Sequence, residues 1–187
     1  MKKSTPLLLH LLFAVIVIVE LIGRLVENIQ MEYFAKPLIM IWIAVYFLLY
    51  AKKSAFTIPV LLAFFFSWVG DNLLMMSGKD ELFFFAGVGG FFCAQVSYIY
   101  VFTKFSERGG RGYLQKNMLP GILFLAYVAG IYALLYPNLE GLMKPVILIY
   151  ALSLIGMSMM ALNRKGRVHH ASYILVFVGS ILFVISD

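Results

Sequence analysis

The sequence predicts an all-α protein whose helices cross a membrane several times, and composition and apolar runs both indicate this fold class. Of its 187 residues, 63% are hydrophobic and 13% are charged, whereas a soluble domain has about 45–50% apolar and about 25% charged residues. A membrane crossing takes roughly 20 apolar residues, so this length admits seven or eight spans and little else. We therefore expect residues 1–187 to form a single transmembrane domain.

Apolar runs divide the chain into seven predicted spans, at 6–22, 37–51, 56–76, 82–103, 118–136, 145–162 and 171–187. In hydrocarbon only helices and closed barrels satisfy every backbone group, and these runs lack the alternation of barrel strands. The second run is short, so we expect its helix to begin a residue or two before Pro37. The first run follows two lysines as a signal peptide would, but it is long and has no small-residue cleavage site before Glu20, which favours a retained helix.

The basic residues predict an orientation with the N-terminus in the cytoplasm. This orientation places eleven basic residues in inside loops and four outside, as the positive-inside rule requires. The inside set is Lys2, Lys3, Lys52, Lys53, Lys104, Arg108, Arg111, Lys116, Arg164, Lys165 and Arg167, and the outside set is Arg24, Lys36, Lys79 and Lys144. Glu107 is the one acid assigned to the inside loops. We predict a multi-pass protein of the cell membrane, with basic loops that need no nucleic acid to explain them.

Two segments four spans apart resemble each other, AKPLIMIWIAVYF at 35–47 and MKPVILIYALSLI at 143–155. We expect Lys-Pro to open a helix in each, because a proline in the first turn leaves no helical hydrogen bond unmade. The span that follows each segment carries an aspartate, Asp71 in one and Asp187 in the other. An even offset gives both copies the same direction, as in a parallel repeat.

Asp71 and Asp187 are the strongest candidates for chemistry. A carboxylate within a membrane is costly unless it is paired, neutral or hydrated, so it indicates a functional site. Asp71 lies 15 residues after Phe56, and Asp187 lies 16 residues after Ala171. Both are about 22–24 Å along their spans at 1.5 Å per residue. We expect the two carboxyl groups to face one cavity at this depth.

Weaker candidates surround the aspartates. Glu20 belongs to the same layer, or pairs with Arg24 one turn later. Lys36 could neutralise a phosphate, or reach the membrane interface as lysines near helix ends do. The remaining candidates for binding a substrate are Asn72, Tyr150, and Gln95 and Tyr98, which share one face of the fourth span. Cys93 is the single cysteine, and the three histidines lack ligand spacing, so we predict no metal or other cofactor.

An ordered set of motifs resembles the YhhN-like lysoplasmalogenase family. The set is Lys36-Pro37-Leu38, Gly70-Asp71, the stripe Gly87, Phe91, Gln95 and Tyr98, and the terminal Gly179, Phe183, Ser186 and Asp187. The resemblance implies an eight-helix membrane hydrolase that converts lysoplasmalogens into a fatty aldehyde and glycerophospho-ethanolamine or -choline. It also implies that the family's two aspartates are Asp71 and Asp187.

This chain departs from the family pattern in two places. Gln95 stands where the family commonly has histidine, and the chain stops at Asp187, where relatives continue into an eighth helix. Either the sequence is truncated or this member completes its site differently.

Vinyl ether hydrolysis needs a neutral acid and a carboxylate. Two aspartates in low-dielectric surroundings can supply both, because one stays protonated and the other stays ionised. We expect Asp71, which lies among aromatic residues, to be the acid. The expected partners are a lysophospholipid substrate and membrane lipids, and the sequence indicates no oligomeric state. The alternative is a proton-coupled transporter of a small molecule or lipid, which would use the same aspartates and show helices broken at mid-span glycines.

Overall fold

The computed structural model describes residues 7–105 and 109–187, and every regular element in these ranges is a helix. The helices are α1 (Leu7–Leu25), α2 (Ile29–Tyr50), α3 (Thr57–Met75), α4 (Glu81–Lys104), α5 (Tyr113–Lys116), α6 (Leu119–Leu135), α7 (Met143–Asn163) and α8 (His170–Ser186), with a 3-10 turn at Tyr136–Asn138. Predictions that involve Lys2, Lys3, Pro6, Glu107 and Arg108 lie outside the described residues.

The predicted all-α fold class is confirmed, and each of the seven predicted spans corresponds to one long helix. Among the described residues, six helices are long and apolar enough to cross a membrane, and α8 is an apolar helix of 17 residues. Large apolar side chains remain exposed along them, such as Leu8, Leu175 and Leu182 at 61–75%. Contiguous apolar surface of this kind is the face that lipid covers in a membrane helix.

The start of α2 was predicted wrongly. The helix begins at Ile29, eight residues before Pro37, because the Asn28 side chain caps it. Asn28 Oδ1 accepts hydrogen bonds from the backbone N–H groups of Gln30 and Met31 at 3.1 and 3.3 Å. Polar residues in this first part interrupt the apolar run, so the hydropathy of the sequence does not predict that the helix extends over them.

The two Lys-Pro pairs consequently occupy different places in their helices. Pro145 lies in the first turn of α7, as expected, but Pro37 lies inside α2 and does not open it. Lys36 is therefore held within a helix and not at its beginning, which determines what its side chain can reach.

The chain forms two compact units, one ending at Ala94 and the other beginning at Gln95, so that α4 contributes to both. In the first unit α2 packs between α1 and α3. In the second unit α7 packs against α5, α6 and α8. Polar contacts fasten this second group: the Ser158 hydroxyl donates to the Ser180 carbonyl at 3.3 Å, and the Leu114 N–H donates to Asn163 Oδ1 at 3.0 Å.

Glycines let α3 and the first part of α4 approach closely. A Cβ added to Gly90 would come within 3.0 Å of the Gly70 nitrogen and 3.2 Å of the Phe66 carbonyl oxygen. A Cβ added to Gly70 would come within 2.6 Å of the Phe91 ring. Small residues are common where membrane helices pack, because lipid supplies no hydrophobic drive and packing contacts must supply it. This contact fixes the position of Asp71, the residue after Gly70.

We predict that Gly90→Ala destabilises the protein, because its new methyl group would meet backbone atoms that cannot move aside. Overpacking of this kind lowers the free energy of unfolding by about 1–3 kcal/mol. The measurement is the thermal midpoint in detergent. Gly89→Ala is the matched control, because nothing lies within 4 Å of its added Cβ. Equal midpoints for the two variants would contradict the close packing.

Candidate functional site

An ion pair joins two membrane helices of the first unit. The Lys36 ammonium of α2 lies 3.3 Å from Asp71 Oδ1 of α3, and the two side chains are 24% and 22% exposed. Charges within apolar helices are stable only when they are paired or hydrated. The pair satisfies this requirement for both residues and links α2 to α3.

A second cation and a second acid lie on α1. Arg24 Nε donates to Glu20 Oε1 at 3.4 Å, so the local pairing expected for Glu20 is confirmed. Arg24 is also close enough to attract the Asp71 carboxylate electrostatically. Glu20 is buried, and its Oε2 has no hydrogen-bond partner among the described residues. We call Glu20, Arg24, Lys36 and Asp71 the charged cluster.

An additional contact holds α2 and α3 in register beside the charged cluster. The Tyr33 hydroxyl donates to the Met75 carbonyl at 2.9 Å, which satisfies an acceptor in the last turn of α3. The Lys79 ammonium lies 5.9 Å from the centre of the Tyr33 ring. Tyr33 thereby joins the end of α3 to the part of α2 that precedes Lys36.

An apolar groove of about 280 Å³ runs between α2 and α3. It is lined by Met40, Ile41, Ala44, Leu61, Phe64, Phe65 and Trp68. Met40 follows Lys36 by four residues and Trp68 precedes Asp71 by three, so the groove follows the same helix faces as the ion pair. This spacing is the signal from which the groove could have been predicted, but the sequence analysis did not use it.

Polar contacts in the second unit bring together Gln95, Tyr150 and Asp187. The Tyr150 hydroxyl donates to Asp187 Oδ2. The Ser153 hydroxyl donates to Gln95 Oε1 and also lies 2.8 Å from the Tyr150 carbonyl oxygen. These contacts connect α4, α7 and the end of α8, and all three predicted residues take part.

Ser153 was not predicted as a site residue. It lies three residues after Tyr150 and therefore shares a face of α7 with it, which is the signal that could have identified it. Its partner Gln95 is fully buried, and the Gln95 Nε2 atom has no hydrogen-bond partner in the described part of the chain.

Two predicted site residues contact their own helices. The Asn72 amide donates to the Trp68 carbonyl at 2.6 Å on α3. The Tyr98 ring stacks on Phe102, one turn later on α4, with the ring centres 5.8 Å apart. Both neighbour the candidate residues in sequence, and their role in binding a substrate stays a prediction.

The structure thus groups Lys36 with Asp71 in the first unit and Gln95 with Tyr150 and Asp187 in the second. The expectation that Asp71 and Asp187 face one cavity stays a prediction. Between 7–105 and 109–187, no group of three His, Cys, Asp or Glu side chains is placed to hold a metal ion.

Comparison with known families identifies one match. The model of the YhhN family matches residues 31–187, which include α2 from its third residue onward, both candidate aspartates, and Lys36 and Tyr150, which contact them. No curated protein and no solved structure matches the chain.

We predict that Ser153→Ala destabilises the protein, because it removes the hydroxyl that donates to the fully buried Gln95. An unsatisfied buried polar group costs about 1–3 kcal/mol. Thermal denaturation in detergent measures the loss. The control is Thr103→Ala, which removes an exposed hydroxyl bonded to the Ile99 carbonyl of its own helix.

The double variant Gln95→Leu with Ser153→Ala should recover most of the loss, because neither partner is then left unsatisfied. A double variant as unstable as the sum of the two single variants would show that the hydrogen bond contributes nothing.

Proposed function

The chain belongs to the YhhN family, to which lysoplasmalogenases belong, and we propose that it is a membrane hydrolase that cleaves the vinyl ether bond of lysoplasmalogens. The products would be a fatty aldehyde and glycerophospho-ethanolamine or -choline. The observation that carries the proposal is the Lys36–Asp71 pair at one end of an apolar groove, within the part of the chain that the family model matches.

The groove and the pair suit the parts of a single-chain phospholipid. The alkenyl chain is apolar and fits the groove between α2 and α3, which ends near Met40 and Trp68. The phosphate is an anion and suits Lys36, one turn from Met40. The vinyl ether joins the chain to the glycerol, so this arrangement brings the reacting bond to Asp71.

The chemistry consumes one water and needs no covalent enzyme intermediate. An acid protonates the β-carbon of the vinyl ether, which leaves an oxocarbenium ion at the carbon bonded to oxygen. Water adds to this carbon and loses a proton, and the hemiacetal separates into aldehyde and alcohol. A neutral carboxyl serves as the acid, and a carboxylate stabilises the cation and orients water.

We assign the carboxylate to Asp71 and the acid to Asp187. Lys36 is a cationic partner for Asp71, and an oxocarbenium ion would present a cation to the same carboxylate. The Tyr150 hydroxyl donates to Asp187 Oδ2, and the carbonyl oxygen of a neutral carboxyl group can accept the same hydrogen bond. This assignment reverses the one expected from the aromatic surroundings of Asp71.

The proposal includes the cell membrane as the location and a cytoplasmic N-terminus, which rest on the distribution of eleven basic residues against four. The transporter alternative predicted helices broken at glycines. Instead, α4 continues through Gly87, Gly89 and Gly90, and α6 continues through Gly130. No observation favours transport over hydrolysis.

We predict that Asp71→Asn and Asp187→Asn each reduce aldehyde release from lysoplasmalogen about 10²–10⁴-fold, the range for removal of a general acid or base. The assay uses purified protein and mass spectrometry of the aldehyde. Asp80→Asn is the control. It removes an acid from the start of α4 and keeps a side chain able to accept the Leu82 N–H, which lies 2.8 Å from Asp80 Oδ1. Near-normal release by either of the first two variants would exclude the paired-carboxylate mechanism.

We predict that hydrolysis in D₂O places one deuterium on the carbon next to the aldehyde carbonyl, because the mechanism transfers a solvent-derived proton to the β-carbon. The aldehyde is reduced to the alcohol immediately and its deuterium is counted by mass spectrometry. A lysophospholipid with an ester in place of the vinyl ether should not be cleaved. Product without deuterium, or cleavage of the ester at a similar rate, would contradict protonation at carbon.

A further inference from the structure

We propose that Lys36 and Asp71 exchange partners when the substrate binds. The phosphate of the lysophospholipid takes the Lys36 ammonium, and the released Asp71 carboxylate then faces the cation that forms on the vinyl ether carbon. This inference rests on the proposed function and deepens it, since it states how binding of the headgroup prepares the reacting group.

The geometry of the pair permits such an exchange. Lys36 and Asp71 make one contact at 3.3 Å, and about a quarter of each side chain is exposed. The contact is neither sealed in the interior nor fully open to water, so an incoming anion can reach Lys36 without unfolding a helix. Three donors on the ammonium also allow it to begin a bond to phosphate before it leaves the carboxylate.

Arg24 provides the second cation that an exchange requires. Its side chain is 60% exposed, it is held by Glu20, and it attracts the Asp71 carboxylate from α1. Arginine forms bidentate contacts with phosphate as readily as with carboxylate. Arg24 and Lys36 therefore attract a phosphate from two different helices, while Glu20 keeps the arginine in place.

The charges of the charged cluster balance in the free protein, and they balance again once the phosphate and the oxocarbenium ion are both present. The charged cluster contains two acids and two bases, Glu20 and Asp71 with Arg24 and Lys36. A phosphate adds one negative charge and the oxocarbenium ion adds one positive charge. Between these two states Arg24 attracts the released Asp71 carboxylate, so that the carboxylate is not left without a nearby opposite charge.

The groove places the substrate for this exchange. The hydrocarbon chain of a substrate that lies against Trp68 and Met40 ends one helical turn from the ion pair. Trp68 is three residues from Asp71, and Met40 is four residues from Lys36. The glycerol is then at the level of the pair, with the vinyl ether and the phosphate on its two ends. An ion pair that only held α2 to α3 would not require an apolar groove beside it.

Binding of uncleavable ligands tests the exchange without any turnover. The probes are an alkyl-ether lysophosphocholine, whose saturated chain has no vinyl ether, and the alkylglycerol of the same chain, which has no phosphate. The chain has two tryptophans, and Trp68 lines the groove. A Trp42→Phe background therefore makes the fluorescence of Trp68 the reporter, in a detergent that lacks phosphate.

The competition between phosphate and Asp71 makes a distinctive prediction. Asp71→Asn should bind the lysophosphocholine about threefold to tenfold more tightly, because Lys36 no longer has to leave a carboxylate. Lys36→Met should bind it about tenfold or more weakly, because it loses a charged hydrogen bond. Both variants should bind the alkylglycerol as the parent does, which also reports that the groove is folded. Lys79→Met, which removes a nearby exposed cation, should change neither affinity.

The exchange is excluded if Asp71→Asn binds the lysophosphocholine no more tightly than the parent while its affinity for the alkylglycerol is intact. It is excluded also if Lys36→Met weakens the binding of the lysophosphocholine and of the alkylglycerol equally. A third excluding result is that inorganic phosphate displaces a reporter ligand at the same concentration as the lysophosphocholine does, since the site would then bind free phosphate. The alkyl-ether ligand is never cleaved, so these results are independent of the hydrolase assay. An exchange without aldehyde release would refute the proposed reaction and leave the lysophospholipid site standing.

Discussion

The ion pair between Lys36 and Asp71 is the constraint on which the first unit depends. A single charge in a membrane helix is expensive, and removing one partner of an enclosed pair leaves the other charge uncompensated. The helices α2 and α3 must therefore keep the register that brings the two side chains to 3.3 Å. The Tyr33 contact with the last turn of α3 holds this register, and the close approach at Gly70 holds α3 against the first part of α4. The proposed exchange uses the same pair, because Lys36 can bind a phosphate in place of the Asp71 carboxylate and Asp71 can face an oxocarbenium ion in place of the Lys36 ammonium.

The two units are stabilised by different means, although both consist of apolar helices. Between α3 and α4, glycines allow backbone atoms of one helix to approach the other, so dispersion contacts replace the hydrophobic drive that lipid does not supply. In the second unit, hydroxyl and amide groups connect the helices, with Ser158 bonded to the Ser180 carbonyl and Ser153 bonded to Gln95. Buried polar groups of this kind tolerate few alternatives, since an unmatched group costs more than a matched one contributes. Asp187 contacts this group of helices through the hydroxyl of Tyr150 on α7.

The candidate site was partly predictable, and its errors have physical causes. The residue types were identified correctly, because an acid or amide within an apolar run is visible without a structure. The partner of Asp71 was not predicted, because Lys36 was placed at the start of a helix that in fact begins at Ile29. A single cap at Asn28 extends α2 through polar sequence, and hydropathy cannot detect a side-chain hydrogen bond. The partner of Gln95 was missed for a related reason, since one serine on an apolar helix is too common to single out.

The sequence by itself determined the all-helical fold class, the seven long helices of the described ranges with the approximate bounds of all but α2, and the short set of polar residues within them. These are properties of contiguous residues, because the cost of placing a segment in hydrocarbon is nearly a sum over its own side chains. Only the tertiary structure decided which of those residues meet. Contacts between Lys36 and Asp71, or between Tyr150 and Asp187, depend on how far each helix is rotated and shifted along its neighbour. Rotation and shift are set by packing between segments far apart in the chain, and no local pattern records them.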